Sequence, residues 1–173
     1  MGKKIFTMRY SSPCGELLLG SFADKLCLCN WTTEKHPGRI DKRLKTTLHA
    51  EYEEAQTDIT IEATRQLDEY FHGGRKTFDI PLLTVGTSFQ KEVWQQLLAI
   101  SYGETVSYGE LSVRIGKVHA VRAVANANGA NAISIFIPCH RVIGSNRSLT
   151  GYGGGLDTKK FLLDLEQTGI EQT

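Results

Sequence analysis

The chain has 173 residues, with 20 Lys and Arg against 19 Asp and Glu and an apolar content of 40%. That length suits one large or two small domains, each able to bury a core. No apolar run approaches the roughly 18 to 20 residues of a membrane span, and Met1-Gly2-Lys3-Lys4 leads into strand-like residues rather than a signal-peptide block, so a cytoplasmic protein is expected. In that compartment Cys14, Cys27, Cys29 and Cys139 stay reduced and are expected to be free.

Residues 3–31 read as an antiparallel meander. Ile5 to Tyr10 is β-prone, Ser11-Ser12-Pro13-Cys14-Gly15 supplies a turn, and Glu16 to Phe22 makes a second strand. Ala23-Asp24-Lys25 turns the chain into a third strand, Leu26 to Trp31. Cys27 and Cys29 share one face of it. Their spacing is not the C-x-x-C of metal or redox sites and no second pair matches it, so they are expected to be structural and no metal is expected. His36-Pro37-Gly38 breaks the pattern, and Arg39 to Tyr52 is polar and compatible with a helix. Ile59, Ala63, Leu67, Tyr70 and Phe71 then recur at helical spacing. His72-Gly73-Gly74 ends that helix, Lys76 to Leu82 is a short extended piece, and the spacing divides the chain into domains 1–82 and 83–173.

The second half reads as mainly helical. Thr87 with Gln90 makes a capping box, and Phe89, Val93, Trp94, Leu97 and Leu98 form an apolar face stopped by Tyr102-Gly103. A short helix spans Tyr108 to Ile115, Gly116 closes it, and another runs from His119 to Asn128, a helix-turn-helix in outline. The second helix is rich in alanine, which lets its backbone come close to another surface, and Arg122 alone projects a long charged arm. A packing helix inside a core would show the same pattern. From Leu111 to Leu156 there is no acid, while Arg114, Lys117, Arg122, Arg141 and Arg147 contribute five positive charges; the remainder carries 15 basic and 19 acidic residues. A basic field of this kind draws polyanions and is the usual footprint of nucleic-acid binding.

The apolar run Ile133 to Ile137 reads as buried extended chain, and Pro138 forces a turn at its end. Cys139, His140 and Arg141 follow directly. A free thiol with a pKa of about 8.5 is only a few per cent ionised at neutral pH. An adjacent imidazole supplies the base, and a third group must orient it. Glu166, on a last helix from Asp157 to Gln167 whose Phe161, Leu162 and Leu165 pack inward, is the candidate. A solvated helix carboxylate would have the same spacing.

Pro138-Cys139-His140-Arg141-Val142 resembles the acceptor-cysteine signature of the O6-alkylguanine-DNA alkyltransferases. Tyr108, Arg122, Asn131, Gly154-Gly155 and Glu166 fall where that family's functional residues stand. The similarity is strong from Phe89 to Glu166 and looser before it, where Ser12-Pro13-x-Gly15 and Tyr70-Phe71 carry it. The resemblance implies an α/β plus α fold: a ribonuclease-H-like α/β domain followed by a mainly helical, winged-helix-like domain with a helix-turn-helix. It implies a monomer with no cofactor, acting on double-stranded DNA that contains O6-alkylguanine, and also O4-alkylthymine. The minor groove is the docking face, with Arg122 filling the gap left by a flipped base and Ala123, Ala127, Ser107 and Tyr108 beside the DNA.

The resemblance also assigns roles at the site. Cys139 as thiolate takes the alkyl group irreversibly. His140 removes the thiol proton through a water, Glu166 steadies the imidazolium, and Tyr108 donates to the departing guanine. Asn131 braces the turn; Pro138, Val142, Tyr152, Gly153 and Gly154 shape the pocket, with backbone near Val142 reading the base edge; Arg141 is a structural ion-pair partner. Gly153 stands where many relatives carry serine, and Ala132 and Ser134 replace prolines of some, which predicts a roomier pocket. Two other readings share parts of this pattern, a non-enzymatic lesion-binding protein and a Cys-His-Glu hydrolase. The first lacks an acceptor cysteine, and the second does not explain the basic helix-turn-helix.

Overall fold

The computed structural model describes residues 2–34 and 38–168; the break expected at His36 and Pro37 lies outside them. Three strands form the expected meander, β1 (Lys3–Ser12), β2 (Gly15–Phe22) and β3 (Lys25–Trp31), each neighbouring pair antiparallel. Period-two alternation places Ile5 and Thr7 of β1 and Leu17 and Leu19 of β2 inside. Ala23 and Asp24 both lie at positive φ, 51° and 60°, the turn whose twist suits a tight hairpin.

The polar stretch after residue 38 divides in two. α1 (Arg39–Leu48) is helical, but His49 reverses the chain and β4 (Ala50–Glu54) pairs parallel to β1, completing a sheet ordered β3-β2-β1-β4. A helix through Tyr52 is therefore wrong. β4 is an edge strand that leaves Glu51, Glu53 and Glu54 in water, so it lacks the apolar signature of a strand while its charges discourage further pairing. α2 (Asp58–Phe71) begins with a capping box between Thr57 and Thr60 and lays Ala63, Leu67, Tyr70 and Phe71 into the core. Of the piece expected to be extended from Lys76, only Leu82 pairs, bridging to Leu26.

The C-terminal half contains α3 (Ser88–Leu97), β5 (Val106–Ser107), α4 (Tyr108–Arg114), α5 (Val121–Gly129), β6 (Val142–Ile143) and α6 (Leu156–Thr168). The Thr87–Gln90 capping box is made from both sides, at 3.1 and 2.9 Å. Leu98 does not join the buried face: the helix ends at Leu97, and Leu98 is 44% exposed. β5 and β6, two residues each and parallel, are too short to leave a periodic trace in the sequence.

The run Ile133 to Ile137 is buried as expected but is not extended. Ile135 has φ 72°, and Phe136 and Ile137 N–H groups turn back to the carbonyls of Ser134 and Ile133 at 2.8 and 3.0 Å. An unbroken apolar run reports burial and leaves conformation open. The loop has a partner in the other half of the chain: the Cys29 N–H donates to the Ala132 carbonyl and the Ser134 N–H to the Cys29 carbonyl, both at 2.8 Å. It thus covers β3, which would otherwise be a bare sheet edge. This pairing anchors the chain five residues before Cys139 and sets where the thiol stands.

Candidate active site

After Pro138 the chain makes a single 3-10 turn, Cys139–Arg141, in which all three residues are buried. Successive side chains on such a turn diverge by about 120°. Cys139 lines a groove of about 1610 Å³ shared with Tyr108, Arg122, Asn128, Asn131 and Tyr152. His140 and Arg141 meet the opposite side, where Glu166 receives both.

Glu166 is the centre of a buried polar cluster and not a solvated carboxylate. Its Oε2 accepts from Tyr70 Oη at 2.6 Å, lies 2.6 Å from His140 Nε2, and accepts from Arg141 Nη2 at 3.1 Å. Its Oε1 accepts from Arg141 Nε at 2.8 Å and from the Gly103 N–H at 3.3 Å. Burial alone would raise this carboxyl, but the bonds from His140 and Arg141 and the guanidinium charge outweigh it and hold the group well below the usual carboxylate range. For His140 burial wins over Glu166 and keeps the imidazole neutral. A neutral ring that faces a carboxylate through Nε2 carries its proton there. Nδ1 is then a bare acceptor, and it is buried without a partner among the described residues. Arg141 also donates to the Ile100 carbonyl at 2.6 Å, so it is spent as a structural cation.

Cys139 rests as a buried thiol. Burial raises its pKa, and nearby Asn131, Lys159 and Ser134 only partly offset that. Ionisation must therefore accompany the chemistry. Asn131 ties the turn together: Nδ2 donates to the Ile137 carbonyl at 2.9 Å and Oδ1 accepts from the Ile133 N–H at 3.0 Å.

The other expected residues fall around the groove with differing commitments. Arg122 and Ala123 are exposed on α5, whereas Ala127 is buried, its carbonyl accepting from Trp94 Nε1 at 2.8 Å. The Ser107 hydroxyl is used as the N-cap of α4, accepting from the Glu110 N–H at 3.0 Å. Tyr108 donates to the Thr150 carbonyl at 3.3 Å. Tyr152 is buried and accepts from Trp31 Nε1 at 3.1 Å, and Gly153 stands open. A Cβ on Gly154 would lie 2.9 Å from the Trp31 ring, so only glycine fits there. The Val142 backbone, expected to read a base, is already engaged: its N–H reaches the Cys139 carbonyl and its carbonyl accepts from Lys159 Nζ at 2.6 Å.

Three contributors escaped the sequence reading. Lys159 is fully buried, and its ammonium also donates to the Thr150 and Gly151 carbonyls at 2.9 and 3.3 Å, pinning the glycine-rich loop; burial lowers its pKa to about 8. Lys159, Leu162 and Glu166 share one helical face (i, i+3, i+7), a signal that two charges lie on the inward stripe of α6. Tyr70 is legible only as part of a helix stripe and Trp31 only as a strand end, because each reaches the site across the boundary between the two halves. Among the described residues no three His, Cys, Asp or Glu side chains come together as a metal site. Cys27 is buried in β3, its thiol pushed up to about 12 by burial.

Residues 88–168 match the family described as 6-O-methylguanine DNA methyltransferase, DNA binding domain, and residues 5–84 match its ribonuclease-like domain. The chain is 45% identical over 157 residues to the methylated-DNA–protein-cysteine methyltransferase of Methanosarcina acetivorans, covering 91% of this chain and 95% of that one. It is 42% identical over 162 residues to the constitutive protein of that name from Bacillus subtilis, covering 93% and 94%. Among solved structures it matches Mycobacterium tuberculosis OGT in complex with DNA at TM-score 0.80 and 39% identity, over 96% of this chain and 94% of that one. With its ribonuclease-like sheet domain, its helical DNA-binding domain and its buried Cys139 turn, the chain belongs to the 6-O-methylguanine DNA methyltransferase family.

Proposed function

We propose that the protein repairs DNA by direct reversal, moving the alkyl group of O6-alkylguanine, and of O4-alkylthymine, onto the Cys139 sulfur once per molecule. One observation carries this reading: a buried thiol in the groove that also bears Arg122, followed directly in the chain by a buried imidazole whose Nδ1 has no partner among the described residues. Cys139 is the nucleophile, a role that an alkyl-lesion binder lacking it could not perform. A Cys-His-Glu hydrolase would have no use for the acid-free, basic segment around α5.

Double-stranded DNA lies with its minor groove on α5, where exposed Ala123 allows close approach and Ala127, Ser107 and Tyr108 border the contact. Arg122 occupies the space of the flipped nucleotide. Extrusion costs a few kcal/mol, less for a poorly paired damaged base, which favours lesions. His140 Nδ1 takes the thiol proton through a water, and Glu166 stabilises the imidazolium. Sulfur attacks the alkyl carbon, the S–C bond forms as the C–O6 bond breaks, and the electron pair passes to the guanine ring. Tyr108 turns from the Thr150 carbonyl to donate to that ring, and the proton lost by the thiol is finally kept by guanine, so the step balances without a cofactor. Asn131 and Pro138 hold the turn, while Val142, Tyr152, Gly153 and Gly154 shape the wall. A thioether is a poor leaving group, so the transfer ends the molecule's use.

The same proposal takes the protein as a cytoplasmic monomer with domains 1–82 and 83–173; the Leu26 N–H bond to the Pro81 carbonyl and the Leu26–Leu82 bridge support keeping the chain up to Leu82 with the sheet. Intact-mass measurement after mixing with O6-methylguanine DNA tests the function. One added methyl group is expected, mapped to Cys139 and absent in Cys139→Ala. Many lesions processed per molecule, or methylation elsewhere, would overturn it.

A further inference from the structure

The steps above leave a buried titratable group unused, the phenol of Tyr70 on α2. Its ring packs against Phe71, Phe78 and Tyr102, with centroids 5.1, 5.5 and 6.1 Å away. Phenylalanine would serve all of that packing, and a buried hydroxyl is costly unless it is bonded. The hydroxyl donates to Glu166 Oε2 at 2.6 Å, across 96 positions of chain. That same oxygen lies 2.6 Å from His140 Nε2 and also accepts from Arg141 Nη2 at 3.1 Å. Burial and the neighbouring carboxylate hold the proton on the phenol, so Tyr70 stays the donor.

We propose that Tyr70, supplied by the sheet domain, is a positioning residue for alkyl transfer: by donating to the oxygen that faces His140, it sets how much negative charge the imidazole meets. This deepens the function proposed above and rests on it for the role of His140. A hydrogen bond donated to a carboxylate stabilises its charge and so weakens its pull on a neighbouring proton. With Tyr70 in place, Glu166 leaves the resting ring neutral and its Nδ1 open to the thiol proton, yet still stabilises the imidazolium once it forms. Without that bond the carboxylate would draw a proton onto the ring too early, and a charged ring has no acceptor to offer. Burial, Arg141 on the turn and Lys159 on α6 all favour the neutral ring, and Glu166 opposes them. Tyr102, between α3 and β5, is the other phenol that feels Glu166, but its hydroxyl donates to the Leu165 carbonyl at 3.5 Å.

The test is the pH profile of single-turnover methyl transfer on O6-methylguanine duplex DNA. In Tyr70→Phe the acid limb should move up by about half to one pH unit, the worth of one net hydrogen bond to the carboxylate. On that limb the variant is then about three- to tenfold slower, and on the plateau within about twofold of the parent. Tyr102→Phe, which removes a neighbouring phenol but no bond to the carboxylate, should leave the limb in place. A Tyr70→Phe profile of unchanged shape, the mark of a merely structural role, would overturn the inference. So would a limb moved the other way, or an equal move in Tyr102→Phe. Should Tyr70→Phe fold poorly, 3-fluorotyrosine placed at Tyr70 alone keeps the bond and strengthens the donor. The limb should then move down, and an unmoved limb counts against the inference. A second readout needs no DNA: the His140 Nε2–H proton resonance in ¹⁵N-histidine protein should move downfield in Tyr70→Phe, and an unmoved signal counts against the inference. Failure of the parent protein to alkylate Cys139 would instead sink the proposed function, while the resonance still reports on Tyr70, so the two outcomes are separable.

Discussion

Glu166→Gln is the perturbation that tests the buried cluster most directly. The carboxylate receives Tyr70, His140, Arg141 and the Gly103 N–H, all buried or part-buried. Glutamine keeps one acceptor but turns an NH₂ group towards donors and leaves the Arg141 guanidinium without its counter-charge. Removing one partner of a buried ion pair costs about 3 to 5 kcal/mol. For a chain of this size each kcal/mol lowers Tm by roughly 2 to 4 °C, so a fall on the order of 10 °C is expected by calorimetry. The pH dependence adds a second signature. His140 is held below its ordinary value, so the unfolded state takes up that proton first, and stability falls as pH drops below about 6.5. The depressed carboxyl of Glu166 contributes fully above its unfolded value of about 4.3, and that contribution is lost as pH falls from there towards the folded value. Acid unfolding should therefore proceed in two steps, the lower one missing in Glu166→Gln. A melting temperature within 2 °C of the parent, by the same roughly 2 to 4 °C per kcal/mol scale, or a retained lower step, would refute this account.

Further outcomes follow from the same geometry. Tyr70→Phe removes one donor and strands no charge, so it should cost about 1.5 to 3 kcal/mol and leave DNA affinity unchanged by anisotropy. Gly154→Ala should slow methyl transfer and loosen Tyr152, seen as lost protection of the Trp31 indole N–H in hydrogen exchange, because its methyl would sit 2.9 Å from the Trp31 ring. Gly153→Ala meets nothing within 4 Å and should be neutral in both assays. With no side chain at Gly153, the pocket should accept O6-benzylguanine as well as O6-methylguanine, measured by loss of active protein; removal of methyl alone would contradict the roomier pocket.

Much of this protein is written in short-range chemistry. β-prone runs bounded by turn residues mark β1 to β3, helical spacing marks α2 and α3, the Thr87–Gln90 pair marks a helix start, and the five residues from Pro138 to Val142 mark the acceptor. Each of these depends on neighbours within a turn or two, which is the range over which backbone sterics and capping act. What only the tertiary structure decided lies at longer range. β4 is a strand because β1 offers it an edge, and the apolar run before Cys139 bends because β3 takes its hydrogen bonds. Glu166 is a buried acceptor because Tyr70, 96 positions earlier, lies against it. Lys159 and Asn128 are set beside the thiol by packing between elements whose own patterns say nothing of each other. A sequence pattern states which side chains leave water; which groups then meet depends on how whole faces stack, and no local rule reaches that far.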